Sequence, residues 1–181
     1  MLYNAGYINE NNNEIIQAGI KHLNNQINDF ILAGVIASLM GNLYIGFLME
    51  FSYVLLRCYA GGYHARNENI CRYITRGTII GELIVIFRFP TNKIEMNIIM
   101  LISVIIIFLK APVDNVNKPL DKKEHGIYRK RCRLILIIQC FIYLIFKSIN
   151  LMVSKTICIN LLVYVGVVYT KKMAIYLYDI K

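Results

Sequence analysis

Apolar residues in this chain fall into long uninterrupted runs. No charge occurs from Phe30 to Met49, and Phe51–Leu56 prolongs that run past Glu50. About twenty helical residues cover roughly 30 Å, the hydrocarbon thickness of a bilayer. Further runs are Tyr73–Phe89 (broken by Arg76, Glu82 and Arg88), Met96–Leu109, Leu134–Ser154 with Lys147, and Thr156–Thr170. Charges inside short apolar runs are costly against lipid, so they predict helices that pack on one another. The expected fold class is all-α: a polytopic integral membrane protein of about five to six transmembrane helices. Residues 30–56 fit either one tilted span or a shallow pair bending at Gly41-Asn42.

Ahead of the first run, Ile16, Ile20, Leu23 and Ile27 recur at helical spacing beside Glu14, Gln17, Lys21 and Asn24. This predicts an amphipathic N-terminal helix within residues 1–28, lying in the membrane interface or packed on the rest of the chain. The start has no basic stretch, short apolar core or small-residue cleavage site, and so does not read as a secretory signal.

Composition sharpens the picture. Of 181 residues, 57% are hydrophobic and 17% charged, with a mean hydropathy of +0.50. Ordinary soluble domains run near ~45–50% and ~25%. Disorder, collagen and nucleic-acid-binding tails are excluded. The expected organisation is a single membrane-embedded domain over 1–181, with a candidate catalytic segment at 57–76 and a basic cytoplasmic loop at 110–133.

Lys110, Lys118, Lys122, Lys123, Arg129, Lys130, Arg131 and Arg133 crowd that loop, and Arg57, Arg66, Arg72 and Arg76 face only Glu68 in the other segment. Basic loops stay in the cytoplasm. An even number of crossings must separate them, which a hairpin of 73–89 and 96–109 through Pro90–Glu95 supplies. Lys171, Lys172 and Lys181 keep the C-terminus inside, with 134–154 and 156–170 as a second hairpin. The net charge of +9 is therefore topological, and no nucleic-acid partner is expected.

The cysteines are Cys58, Cys71, Cys132, Cys140 and Cys158, without a Cys-x-x-Cys pair. Neither a disulfide framework nor a metal site is expected, and no cofactor is implied. Cys140 and Cys158 read as small core residues, and His22 and His125 as surface residues. Gly34, Gly41 and Gly46 leave room for close helix contacts, within this chain or in a homodimer.

One stretch does not behave like a connector. From Arg57 it reads Cys-Tyr-Ala-Gly-Gly-Tyr-His-Ala-Arg-Asn-Glu-Asn-Ile and ends at Cys71. On one straight helix His64 and Cys71 would lie about 10.5 Å apart along the axis, against roughly 3 Å for a nucleophile–base contact. Residues 65–70 must therefore bend if the two act together. Arg57, Arg66 and Arg72 supply the positive field that favours a thiolate. The spacing alone admits a Cys–His dyad or a loop histidine beside an idle thiol.

At these residues the chain resembles the accessory gene regulator B (AgrB) family of Gram-positive bacteria. Its pattern stands here as Arg57, Ala60-Gly61-Gly62-Tyr63-His64-Ala65 and Cys71. A second stretch stands as Ala111-Pro112-Val113-Asp114 and Asn117-Lys118-Pro119-Leu120. The resemblance implies a membrane cysteine endopeptidase that processes a short quorum-sensing propeptide of the AgrD type. It implies a multi-pass protein of the bacterial cell membrane, with both termini and the active site on the cytoplasmic side. Cys71 would be the nucleophile and His64 its base, with Arg57 and Gly62 in support. Arg57 also reads as a topology-setting charge at a helix end. Attack on the propeptide would release its C-terminal tail, leaving a thioester that an internal thiol exchanges for a ring.

Glu50, Asn67, Asn69 and Asp114 are each candidates to orient His64. Propeptides of this kind carry an acidic tail, for which Lys122, Lys123, Lys130 and Arg131 form a candidate dock; otherwise those charges serve topology alone. A non-enzymatic peptide exporter or partner-binding subunit is the competing reading.

Overall fold

The computed structural model describes residues 10–61, 68–113 and 121–178. Among these the chain is all-α, with six helices in sequence: α1 (Glu10–Leu39), α2 (Leu43–Ala60), α3 (Glu68–Arg88), α4 (Lys93–Lys110), α5 (Lys122–Ile149) and α6 (Leu151–Tyr178).

Each break has a local cause. After α1 the chain turns at Gly41, whose φ of 99° suits a residue without a Cβ. The Asn42 N–H donates to the Ala37 carbonyl at 2.9 Å and the Gly41 N–H to that of Ser38 at 3.0 Å, a Schellman closure. The region left open between one span and two is thus divided between two packed helices. Asn92 and Asp121 begin α4 and α5, each answered three residues on by Glu95 and Glu124 in a capping box.

Two expectations need correction. The basic loop is half helix, because the box at Asp121 starts α5 and makes Lys122–Arg133 its first turns. The last hairpin turns at Asn150 rather than at residue 155, because the Asn150 Oδ1 accepts from the N–H groups of Met152 and Val153 at 3.1 and 3.3 Å. Lys155 consequently lies inside α6, where its ammonium donates to the Phe89 carbonyl at the end of α3.

The bundle is apolar on its outside as well as in its core, and several polar groups are buried within it. Ile31, Val35, Leu101, Ile137, Phe141 and Leu144 lie on the outside, while Glu50, Glu82, Gln139 and Asn160 are buried. Among the described residues two helices, Leu43–Ala60 and Lys122–Ile149, are long and apolar enough to cross a membrane. Apolar side chains gain nothing by leaving lipid for one another, so interhelical hydrogen bonds and close fit matter more. Gln139 Nε2 donates to the Ser52 carbonyl and hydroxyl at 3.0 and 2.9 Å. Asn160 Nδ2 donates to the Met49 carbonyl at 2.7 Å, and the Tyr143 hydroxyl to Asn97 Oδ1 at 2.8 Å. These bonds join α5 to α2, α6 to α2 and α5 to α4. α6 packs against α2, α3, α4 and α5.

The amphipathic helix is the front of α1 and runs on without a break. Ile20, Leu23 and Ile27 on it are exposed, so this face is not packed on the chain.

α1 and α2 approach closely where Gly46 meets Ala33. A Cβ at Gly46 would lie 2.4 Å from the Ala33 carbonyl oxygen and 2.7 Å from the Ala37 Cβ. Gly46→Val should therefore cost about 1–3 kcal/mol of stability, read as a lower unfolding midpoint in detergent. Gly81→Ala, where an added Cβ meets nothing within 4 Å, should leave the midpoint near wild type.

Candidate active site

The site grows from the end of α2 and the start of α3. α2 closes with Arg57 in its last turn, and Cys71 lies in the first turn of α3. The Arg57 guanidinium interacts electrostatically with Cys71. It also donates to the Tyr53 hydroxyl at 3.4 Å and rests 5.7 Å from the centre of that ring. Cys71 is half-buried, Cys58 is exposed, and Cys132 and Cys158 are buried; all five are free thiols.

α1 brings an acid to the same place. Asp29 forms a loose ion pair with Arg76, Nε to Oδ1 3.8 Å, and Arg57 and Arg72 act on it electrostatically. Sequence reading missed Asp29, although it stands directly before the uncharged run from Phe30. Only tertiary packing pairs it with residues more than forty positions on.

The two motif stretches that are far apart in sequence meet through the backbone. Gly61 and Val113 share a parallel β-bridge, and the Val113 N–H donates to the Ala60 carbonyl at 2.9 Å. The Tyr164 hydroxyl of α6 donates to the Gly61 carbonyl, and its ring meets Tyr53 edge to face at 6.4 Å. The residue after α2 is thereby held from α4 and α6 together.

The other named residues divide. Glu50 is buried on α2 and couples electrostatically to Asp29 and Arg57. Asn69 is exposed on α3. Gly62, His64, Asn67 and Asp114 lie outside the described residues. Arg131 packs over the Tyr59 ring at 5.4 Å, and Tyr59 meets Tyr128 at 5.9 Å. The start of α5 therefore lies against the end of α2 that carries Arg57. Lys122, Lys123 and Lys130 are exposed there.

Comparison with known proteins agrees with the motifs. The family profile described as Accessory gene regulator B matches residues 1–172. A protein of Clostridium perfringens (strain SM101 / Type A), whose name describes it as AgrB-like, is 26% identical over 167 residues, covering 84% of this chain and 77% of that protein. No solved structure matches. The chain belongs to the accessory gene regulator B family.

Gly61 has a φ of 77° and ψ of −170°, a region essentially reserved for glycine. A Cβ there would lie 2.3 Å from the Val113 carbonyl oxygen. Gly61→Ala should cost about 2–3 kcal/mol through strain and clash, seen as a fall in the unfolding midpoint. Gly126→Ala, in open space, is the matched control.

Proposed function

We propose that this member of the accessory gene regulator B family is a membrane cysteine endopeptidase that trims an AgrD-type propeptide and permits its cyclisation. The observation that carries the reading is the family match over residues 1–172, with Arg57 in the last turn of α2 and a part-buried Cys71 in the first turn of α3. His64 takes the Cys71 proton, and the thiolate attacks the carbonyl at the end of the future signal sequence. The C–N bond breaks, the tail leaves as an amine carrying the proton from His64, and a thioester joins the peptide to Cys71. A thiol within the bound peptide then attacks that thioester, closing a thiolactone and returning the Cys71 thiol. A peptide with serine there gives a lactone by the same route. Exchange between thioesters is nearly energy-neutral, so the demand on the protein is exclusion of water. Gly62 frees the turn that presents His64.

Six crossings with both termini in the cytoplasm fit the chain. The hairpin turns at Gly41, Pro90–Asn92 and Asn150 then lie outside, and the basic ends of α2 and α5 lie inside with Cys71. The contact of Arg131 with Tyr59 supports a shared role for these ends. In this arrangement Lys122, Lys123, Lys130 and Arg131 hold the acidic tail while Cys71 works on the bond before it.

The enzymatic reading is tested with the full chain in lipid vesicles and its propeptide. Wild type should cleave the peptide and carry a covalent adduct on Cys71. Cys71→Ser and His64→Ala should each lower cleavage about a thousandfold or more. Serine at Cys58, Cys132, Cys140 or Cys158 should not. Cleavage by Cys71→Ala at the wild-type rate would leave a non-enzymatic membrane subunit as the better account.

Tail binding is tested by changing Lys122, Lys123, Lys130 and Arg131 together to Gln. Processing of dilute peptide should fall about tenfold, with turnover at saturating peptide kept. Wild-type capture should weaken as salt rises, since the Debye length is about 8 Å at 0.15 M. Normal insertion with wild-type efficiency on dilute peptide would assign those charges to topology alone.

A further inference from the structure

Tyr164 stands on α6 and belongs to neither sequence motif, yet its side chain reaches the place where the two motifs meet. Its hydroxyl donates to the Gly61 carbonyl. Gly61 bridges Val113, whose N–H donates to the Ala60 carbonyl at 2.9 Å. Its ring meets the Tyr53 ring edge to face at 6.4 Å. Tyr53 in turn carries Arg57, which lies 5.7 Å from the ring centre and 3.4 Å from the hydroxyl. The Tyr164 side chain is fully buried, in the apolar cluster that includes Leu56, Ile107 and Leu161.

The end of α2 explains why a side chain is needed there. The last carbonyls of a helix have no partner within it. Val113 gives its one N–H to Ala60, and Pro112 before it has none to give. The Gly61 carbonyl is met instead by the phenol of Tyr164. Tyrosine suits the place because its body is apolar and rigid while its tip donates.

We propose that Tyr164 is a positioning residue for the cleavage reaction: its hydroxyl fixes the chain at Gly61, three residues before His64, and its ring backs the Tyr53–Arg57 pair. The inference rests on the endopeptidase reading, in which residues 57–71 carry the chemistry. A reacting group displaced by about 1 Å costs up to about a hundredfold in rate. Loss of the hydroxyl should therefore appear in turnover rather than in capture of the peptide.

The test uses the full-length protein in vesicles of phosphatidylcholine and phosphatidylglycerol, with its propeptide. Tyr164→Phe, which keeps the ring, should lower kcat about tenfold or more and leave KM within about twofold. Its unfolding midpoint should fall by only about 2–4 °C, the scale of one hydrogen bond. Tyr143→Phe is the matched control. It removes another phenol bond of the interior, to Asn97 Oδ1 at 2.8 Å, and should lower the midpoint equally with kcat near wild type. Tyr164→Leu, which loses the ring as well, should lower kcat further.

A second measurement needs no peptide. Hydrogen exchange at the Val113 amide, read by mass spectrometry on a fragment in which Pro112 contributes no N–H, should run about tenfold faster in Tyr164→Phe and unchanged in Tyr143→Phe. Wild-type kcat in Tyr164→Phe, a rise in KM alone, or unchanged exchange at Val113 overturns the inference. An equal loss of kcat in Tyr143→Phe overturns it too, because general loosening would then account for both. A wild-type protein that fails to cleave propeptide sinks the endopeptidase reading and the inference with it, whereas an active wild type beside an equally active Tyr164→Phe sinks the inference alone.

Discussion

A part-buried guanidinium on the last turn of an apolar helix needs partners within the chain, because leaving its charge unpaired there is costly. Arg57 meets that demand with the Tyr53 ring and hydroxyl, and it acts electrostatically on Cys71 of α3 and Asp29 of α1. Tyr53 meets Tyr164, which extends the same constraint to α6. The solution to a solvation problem and the arrangement around the thiol are one set of contacts.

That economy recurs through the interior. Gln139, Asn160 and Tyr143 each spend their donors on a neighbouring helix, at points where hydrocarbon contact would give no directional preference. Such bonds fix register between helices, and the close fit of Gly46 on Ala33 fixes distance. The junction of Gly61 with Val113 and Tyr164 then places the start of the His64 segment relative to the bundle.

Much of this was legible in the residues. The apolar runs marked the helices, Pro90 marked one turn, and the order of Arg57, His64 and Cys71 with its glycines pointed to the family. Other features were hidden for physical reasons. Asn150 caps a helix through its side chain, a local signal outweighed by the hydropathy of the residues around it. Lys155 looked like a break because its partner, the Phe89 carbonyl, lies far away in sequence, just past the end of α3. Asp29 was passed over for the same reason: on its own helix it is only the last polar residue before an apolar run. Pairwise contacts between distant segments leave no periodicity to read.

An exterior of isoleucine, leucine and phenylalanine around an apolar core that also holds Glu50, Glu82, Gln139 and Asn160 alters the usual distribution of evolutionary constraint. Outward positions need only remain greasy and helical, so leucine can drift to isoleucine or phenylalanine with little consequence. Inward polar positions admit few replacements, because each lost donor strands an acceptor in a dry bundle. Divergence in such a protein should accumulate around its circumference while its axis stays fixed. Overall identity would then fall faster than architecture.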